Sequence, residues 1–249
     1  MNTITIGLLV SVLAVLNVWG VSVSADEFTV GVEDIDYFPI SAMRADHYAG
    51  YSRELLDAFA MQNNHTFIYK PYSVKSLLGA YKAGQIDFKF PDNPKWAQEF
   101  KKGLNIRYSD SALNSIDGVM VMPSSMGLES FRLKRLGTII GFTRSAFQSD
   151  IASGEISRHE HENMEGLMKL MQKKIIDGVY SNVFVTRNFL KNSKYGTDFV
   201  VFDESLAHEK TNFSLSSIRH PETVKEFNAF LEKNSQWISK LKIQYGLQR

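Results

Sequence analysis

The residues best suited to hold a small molecule lie in a polar, aromatic loop at residues 91–96 (PDNPKW). Asp92 and Asn93 supply hydrogen-bond donors and acceptors, Trp96 supplies a flat face for stacking, and the flanking prolines restrict the loop before anything binds. A plain turn with Trp96 packed beneath it is the alternative interpretation. Further polar and aromatic residues are assigned to the same predicted ligand site: Asp36, Tyr37, Phe38, Tyr51 and Phe90.

A second group of candidates follows a predicted strand that ends in glycine, at Gly141. Thr143, Arg144 and Ser145 open a predicted helix, where free backbone N–H groups favour an anion and a guanidinium can form two hydrogen bonds to a carboxylate or phosphate. An ordinary helix cap with Arg144 in solvent explains these residues equally well. Asn182 lies between a predicted strand and a predicted helix, where it either binds ligand, which we prefer, or caps the helix.

Metal-binding and catalytic patterns are sparse. His159 and His161 are the obvious metal candidates, and they would face apart on a helix but together on a strand. The charges around them predict a solvated helix start and no metal. The sequence has no Gly-x-Ser-x-Gly elbow, phosphate-binding loop, dinucleotide fingerprint or zinc-protease motif, and no carboxylate has an identifiable catalytic partner. We therefore predict no catalytic residue, cofactor or metal.

Residues 50–96 contain the elements that position the main loop. A helix is predicted from its apolar face, a short β-rich run follows at residues 66–69, and a second helix begins at Ser73 and ends at Gly84. The next strand, residues 86–90, is predicted to end at Pro91. Strand–helix–strand units form parallel sheets, and ligands on such sheets bind beyond the carboxyl ends of the strands, where this loop lies. The apolar face of the first helix consists of Leu55, Leu56, Phe59 and Ala60.

Strands and helices alternate again after a Ser/Gly-rich linker at residues 124–127, and no internal repeat is present. This order predicts an α/β protein with two lobes, each a mixed, mostly parallel sheet flanked by helices. The first lobe comprises residues 26–120 and 206–249, and residues 121–205 form the second lobe. Hinge strands near residues 120–123 and 200–203 join them.

The beginning of the chain indicates export. No charged side chain precedes Asp26, and residues 23–25 (VSA) are small, so we expect a signal peptide at residues 1–25, cleavage after Ala25 and a periplasmic protein. Because that segment lacks Lys and Arg, an uncleaved membrane anchor is the alternative. The absence of cysteine excludes disulfides and thiolate sites. The 28 basic and 27 acidic residues give no basic excess, so we expect no nucleic-acid partner.

Several short motifs, in their order and spacing, resemble the family 3 extracytoplasmic solute-binding proteins, the periplasmic receptors of polar amino-acid importers. They are residues 28–32 (FTVGV) with 37–39 (YFP), residues 50–51 (GY), residues 77–87 (LLGAYKAGQID), residues 108–110 (YSD) and residues 167–178. The resemblance covers nearly the whole chain after residue 26. It implies the Venus-flytrap fold of periplasmic binding proteins.

The ligand site departs from the pattern of that family. Its amino-acid binders carry an Arg shortly after a Thr-x-Thr-like loop, whereas this chain has Lys95 as the nearest cation and no arginine until Arg107. The family's aspartate for the α-ammonium group falls at Asn182, which is neutral. The resemblance therefore predicts a receptor whose solute is not an ordinary α-amino acid.

The expected function is that of a monomeric, non-catalytic receptor. It would close on a small polar or aromatic solute and present it to a membrane partner, either an importer (ABC transporter) permease or the periplasmic domain of a sensor in signalling. Two alternatives remain: a protein-interaction module of the same fold that binds no solute, and a lyase or dehydratase-type enzyme on this scaffold.

Overall fold

The computed structural model describes residues 25–128, 132–142 and 145–248. Apart from Ala25, the predicted signal peptide lies outside these residues. Within them, no helix combines the length and the apolar character needed to cross a membrane. The strands are β1 (Asp26–Glu33), β2 (Ala42–Arg44), β3 (His47–Ala49), β4 (His65–Tyr72), β5 (Phe88–Asp92), β6 (Arg107–Tyr108), β7 (Leu113–Val121), β8 (Arg135–Ile139), β9 (Ser157–His161), β10 (Gly178–Asn182), β11 (Val201–Phe202) and β12 (Glu209–Ser217).

Helices flank the strands. They are α1 (Tyr51–Gln62), α2 (Val74–Lys82), α3 (Gln98–Lys101), α4 (Gln148–Ala152), α5 (Met164–Gln172), α6 (Val183–Lys191), α7 (Pro221–Lys233) and α8 (Ser235–Gln244). Short 3-10 helices cover Pro123–Ser125 and Ser145–Phe147. The predicted helix at residues 183–191 is confirmed at both ends by α6.

The main sheet has the strand order β4-β1-β5-β12-β7-β10-β8-β9, with β6 beside β12 and β11 beside β7. The first lobe carries the parallel strands β4, β1 and β5, and the second lobe carries the parallel strands β10, β8 and β9. The antiparallel pair β7 and β12 connects them, with Leu113 opposite Phe213 and Asp117 opposite Glu209. The mixed, two-lobed α/β fold is thereby confirmed. The lobe boundaries at 120/121 and 205/206 stay predictions.

Helix α1 fixes the start of the first lobe, and it forms as predicted. Its Leu55, Leu56, Phe59 and Ala60 are buried, and the Phe59 ring lies 5.0 Å from that of Phe227 in α7. Gly50 caps it with φ of 101°, and a Cβ at this position would lie only 2.9 Å from the Ile40 carbonyl oxygen. Glycine is therefore required at the entry to this helix.

The prediction that Pro91 ends its strand is wrong, because β5 continues to Asp92. Pro91 has no N–H to donate, yet β5 pairs with β12 through Asp92 opposite Ser214 and Lys89 opposite Ser216, with an irregular register between them. The proline lies at that irregularity, where a regular ladder hydrogen bond is not needed. As a result Asp92 lies inside the strand and not in a loop.

The predicted helix start at His159 is also wrong, because this segment forms strand β9. Strand β9 is the last of the sheet and pairs with β8 over five residues, from Ser157 opposite Arg135 to His161 opposite Ile139. Charged residues suit such an edge strand because one side stays exposed. Helix α5 begins three residues later, where the Asn163 side chain accepts a hydrogen bond from the Gly166 N–H at 2.9 Å.

Candidate functional site

A cavity of about 120 Å³ lies between the two lobes, beyond the carboxyl ends of β1 and β5. Parallel sheets bind ligands at this edge, so we take this cavity as the candidate site. The first lobe provides most of its wall, and the second lobe covers it with the turn after β8. The lining residues are Glu33, Tyr37, Ser41, Val74, Leu78, Lys89, Pro91, Asp92, Trp96, Ala97, Lys101, Asp117, Gly141, Phe142 and Phe213.

A second, open groove of about 600 Å³ lies along β7 and β12 and is lined on its other side by α6. Its residues from the connecting strands include Asn114, Ile116, Lys210 and Asn212, which alternate with Asp117 and Phe213 of the cavity. The carboxyl ends of β1 and β5 do not line this groove. Its size alone therefore does not make it the better candidate.

Two lysines converge on Asp92 at the floor of the cavity. The Lys101 Nζ donates to Asp92 Oδ1 at 2.7 Å and the Lys89 Nζ at 3.3 Å, while the Ser216 hydroxyl donates to Oδ2 at 2.7 Å. Burial alone raises the pKa of Asp92, but the two ammonium groups and the hydroxyl outweigh it and hold that pKa below its usual value. Asp92 is fully buried and ionised, and the side chains around it compensate its charge.

Both lysines also contact other groups of the protein. Lys89 also donates to the Pro91 carbonyl at 2.6 Å, lies 4.0 Å from a Glu33 carboxylate oxygen and stands 5.4 Å from the centre of the Trp96 ring. Lys101 also donates to the Asn93 carbonyl at 2.7 Å. Burial raises the pKa of Glu33, and the nearby Lys89 only partly offsets this effect. Glu33, Lys89, Asp92 and Lys101 thus form one cluster in which two acidic side chains face two ammonium groups.

Asp117 forms the opposite side of the cavity, on β7. The Thr211 hydroxyl donates to its Oδ2 at 2.7 Å, and the Asn182 amide donates to its Oδ1 at 2.8 Å. Burial raises the pKa of Asp117, the two neutral donors lower it less, and the neighbouring Glu209 raises it further. Asp117 therefore resists ionisation unless a cation approaches.

Aromatic rings close the cavity between the lobes. The Tyr37 and Phe142 rings meet edge to face at 5.3 Å, and Trp96 packs against Phe213 with ring centres 5.5 Å apart. Burial and the nearby Asp117 raise the pKa of Tyr37, while its hydroxyl also accepts a hydrogen bond from the Asn182 backbone. Tyr37 of the first lobe thus contacts residues of both β7 and β10.

Three residues of the predicted ligand site come together in this cavity: Tyr37, Asp92 and Trp96. Asn93 lies next to them, but its amide donates to the Asn212 carbonyl at 2.7 Å and its oxygen accepts from the Lys95 N–H at 2.8 Å. Asn182 caps α6, with Oδ1 accepting from the Phe184 N–H at 3.0 Å, and its side-chain amide contacts the cavity residue Asp117.

The other predicted site residues lie away from the cavity. Tyr51 is fully buried in the core and donates to the Ala112 carbonyl at 2.7 Å, and Phe90 is also a core residue. Asp36 is exposed and pairs with Arg44 at 3.7 Å, and the same guanidinium lies 4.3 Å from the centre of the Phe38 ring. Of the anion-binding group, Thr143 and Arg144 lie outside the described residues, and Ser145 begins a 3-10 turn.

The sequence interpretation missed Lys89, Lys101, Asp117 and Phe142, all of which line the cavity. A signal was present for Lys89, which stands between Phe88 and Phe90 in the predicted strand. A lysine in a buried strand needs a buried partner. Lys101 gave no such signal, because the exposed Lys102 stands beside it. The metal alternative finds no support: the described residues contain no cluster of metal-ligating side chains.

Comparison with solved structures finds proteins that share this two-lobed fold. An arginine transport-system periplasmic binding protein from Legionella pneumophila has a TM-score of 0.69 and 13% identity, over 89% of this chain and 100% of its own. An ABC uptake transporter substrate-binding protein from Streptococcus pneumoniae, with bound histidine, has a TM-score of 0.66 and 19% identity, over 88% and 92%. A histidine kinase sensor domain with similarity to periplasmic binding proteins has a TM-score of 0.71 and 16% identity, over 89% and 96%.

Identities this low show a shared fold and no more. No protein-family model matches the sequence, and no curated protein matches it. Membership of the family 3 solute-binding proteins therefore stays a resemblance, while the two-lobed periplasmic-binding-protein fold is established.

Proposed function

We propose that this protein is a periplasmic solute-binding receptor. It closes its two lobes around a small solute that is not an ordinary α-amino acid, and it presents the closed form to a membrane partner, an importer permease or a sensor. It acts as a monomer and by recognition, without catalysis. Among the structural neighbours, one binds histidine for an uptake transporter and another is a sensor domain, which supports either partner.

The observation that carries this proposal is the cavity between the lobes. Glu33, Trp96 and Asp92 enter it from the first lobe, and Phe142 covers it from the second. Ligand sites typically measure about 300 to 1,000 Å³, so the 120 Å³ here accommodates only a small solute in the closed form. Because the wall of the cavity comes from both lobes, their separation would widen it and their approach would close it around a solute.

Thermal denaturation against panels of amino acids, simple amines, organic acids, polyamines, nucleosides and peptides tests the proposal. A solute at a hundredfold excess over its dissociation constant adds about 2.7 kcal/mol to the free energy of unfolding. We expect a saturable rise in melting temperature with at least one class of compound. No shift with any compound contradicts the solute-binding function.

A protein-interaction module of the same fold is the second candidate, and Lys89 favours it. This ammonium group lies inside the cavity, between the Pro91 carbonyl, Asp92 and the Trp96 ring, where it takes space that a solute would need. Such a module would show no thermal shift with the panel and would keep its lobes closed in the absence of added compounds. A solute-binding receptor would open.

A further inference from the structure

Within the described residues, one acidic side chain of the cavity lacks the ion-pair partner that the others have. The charged residues that line the cavity, among those the structure describes, are Glu33, Lys89, Asp92, Lys101 and Asp117. The first four form the buried cluster in which two carboxylates face two ammonium groups. Asp117 is held only by the Thr211 hydroxyl and the Asn182 amide, and it has no ion-pair partner in the described part of the chain. Among the described residues, Asp117 is therefore the acidic group of this cavity that a cation could still pair with.

The residues around Asp117 also favour a positively charged group at this position. Glu209 lies opposite Asp117 in the β7–β12 ladder, and its negative charge disfavours a second one nearby. The Tyr37 ring stands beside Asp117, and the Phe142 ring meets Tyr37 at 5.3 Å. A carboxylate next to aromatic faces is the combination that binds alkylammonium ions, through charge attraction and cation–π contact.

Among the described residues, the wall of this cavity offers no uncommitted cation to the carboxylate of a ligand. Lys89 and Lys101 are the cations that the described residues contribute to its wall, and both already donate to Asp92 and to backbone carbonyls. Moving either one to a ligand would leave Asp92 buried without its partner, which is costly. An anionic or zwitterionic solute would thus compete with the internal cluster.

Resting on the proposed function, we propose that the solute is a small organic monocation without a carboxylate, a primary or methylated amine. Its ammonium group lies against Asp117 and beside the Tyr37 ring, at the edge of the Tyr37–Phe142 pair. The cavity of about 120 Å³ lies well below the usual range of about 300 to 1,000 Å³ for ligand sites, so the solute is small.

Isothermal titration with the purified protein in an amine-free phosphate buffer tests this assignment. The probes are methylammonium and tetramethylammonium chloride, with potassium acetate and glycine as charge controls and tert-butanol as a neutral molecule of similar shape to tetramethylammonium. We expect saturable binding of at least one ammonium ion and none of tert-butanol. Tighter binding of acetate or glycine, equal binding of tert-butanol, or binding confined to another class of the panel overturns the cation assignment and leaves the receptor function standing.

Two variants locate the cation. Asp117→Asn keeps an oxygen for the Thr211 hydroxyl and removes the charge, so the affinity for the ammonium ion falls about tenfold or more. Phe142→Leu keeps an apolar side chain and removes the ring, which lowers the affinity about threefold. Asp110→Asn, at an exposed aspartate, is the control and leaves the affinity unchanged. Unchanged affinity in both Asp117→Asn and Phe142→Leu overturns the proposed position of the cation. Failure of every panel compound to bind the unaltered protein refutes the receptor function itself.

Discussion

At the scale of single residues, the candidate site depends on a carboxylate that two lysines share. Asp92 is fully buried, and only 8% of Lys101 is exposed, so neither charge is stabilised by water. Removing one member of such a cluster leaves the remaining charges under-compensated, whereas the cluster as a whole adds little net stability. Its main consequence is that Lys89 and Lys101 are not available to a solute.

Lys101→Met tests this pairing against its neighbour, Lys102→Met. Lys101 is buried against Asp92 at 2.7 Å, and Lys102 is exposed. We expect Lys101→Met to lower the free energy of unfolding by about 3 kcal/mol and Lys102→Met to change it by no more than about 0.5 kcal/mol. Urea denaturation measures both. Equal stability of the two variants would show that the ion cluster does not form.

The pH dependence of stability tests the environment of Asp117. Burial raises the pKa of Asp117 in the folded protein, while the unfolded chain releases this proton near its ordinary pKa of about 3.9. Between those values the folded state binds more protons, so this residue makes stability fall as the pH rises. Asp117→Asn removes the effect.

Urea denaturation of both proteins without added solute, between pH 4 and pH 8, therefore gives curves that separate. Relative to the unaltered protein, Asp117→Asn gains stability as the pH increases above about 4. Glu33 titrates in both proteins and cancels in the comparison. Parallel curves would mean that Asp117 ionises as it does in water.

Part of the site could be predicted from residue types alone. Tyr37, Asp92 and Trp96 line the cavity as expected, because polar and aromatic residues after β1 and in β5 must lie at the carboxyl edge of the sheet. Tyr51 and Phe38 were assigned on the same grounds, yet one lies in the core and the other contacts Arg44. An aromatic side chain looks alike in a core, on a surface and in a site, and only tertiary packing separates these cases.

At the scale of elements, Gly50 determines how the chain enters α1. Its backbone has φ of 101°, and the carbonyls of Pro39 and Ile40, which a Cβ would approach at 3.0 and 2.9 Å, accept hydrogen bonds from the first N–H groups of the helix. A side chain at Gly50 would therefore clash with carbonyl oxygens that already accept hydrogen bonds.

Gly50→Ala and Gly79→Ala give a matched pair. We expect Gly50→Ala to destabilise the protein by about 1 to 3 kcal/mol because of strain at the helix entry. Gly79 lies within α2 with open space around an added Cβ, so alanine there stabilises by about 0.5 to 1 kcal/mol. Chemical denaturation gives both values. The same sign of change in both variants would contradict this account of the α1 entry.

The fold could be predicted from the sequence better than the site could, but some of its elements were predicted and others were not. Helices α1, α2 and α6 have clear apolar faces, and α2 and α6 also have side-chain caps, whereas β12 was not predicted at all. Its Thr211, Phe213 and Leu215 alternate with polar residues, yet two of those polar residues, Ser214 and Ser216, are buried where the strand pairs with β5 and β6. Tertiary packing decides that these serines are buried, and the residue pattern of β12 does not reveal it.

At the scale of the whole molecule, the two lobes contact each other around the cavity. Tyr37 meets Phe142 at 5.3 Å, and the Asn188 amide donates to the Phe38 carbonyl at 3.4 Å. These contacts are polar or aromatic, which is typical of domain surfaces that separate and rejoin. The strands β7 and β12 are the elements about which such an opening would occur.

Lobe opening around a solute is the central claim, and single-molecule energy transfer between the lobes tests it most directly. Because the sequence has no cysteine, Met61→Cys on the first lobe and Lys169→Cys on the second, both exposed, provide the only dye sites. We predict two populations without solute, an open and a closed one. The compound with the largest thermal shift should convert the first into the second. A single population that no panel compound changes would contradict the account.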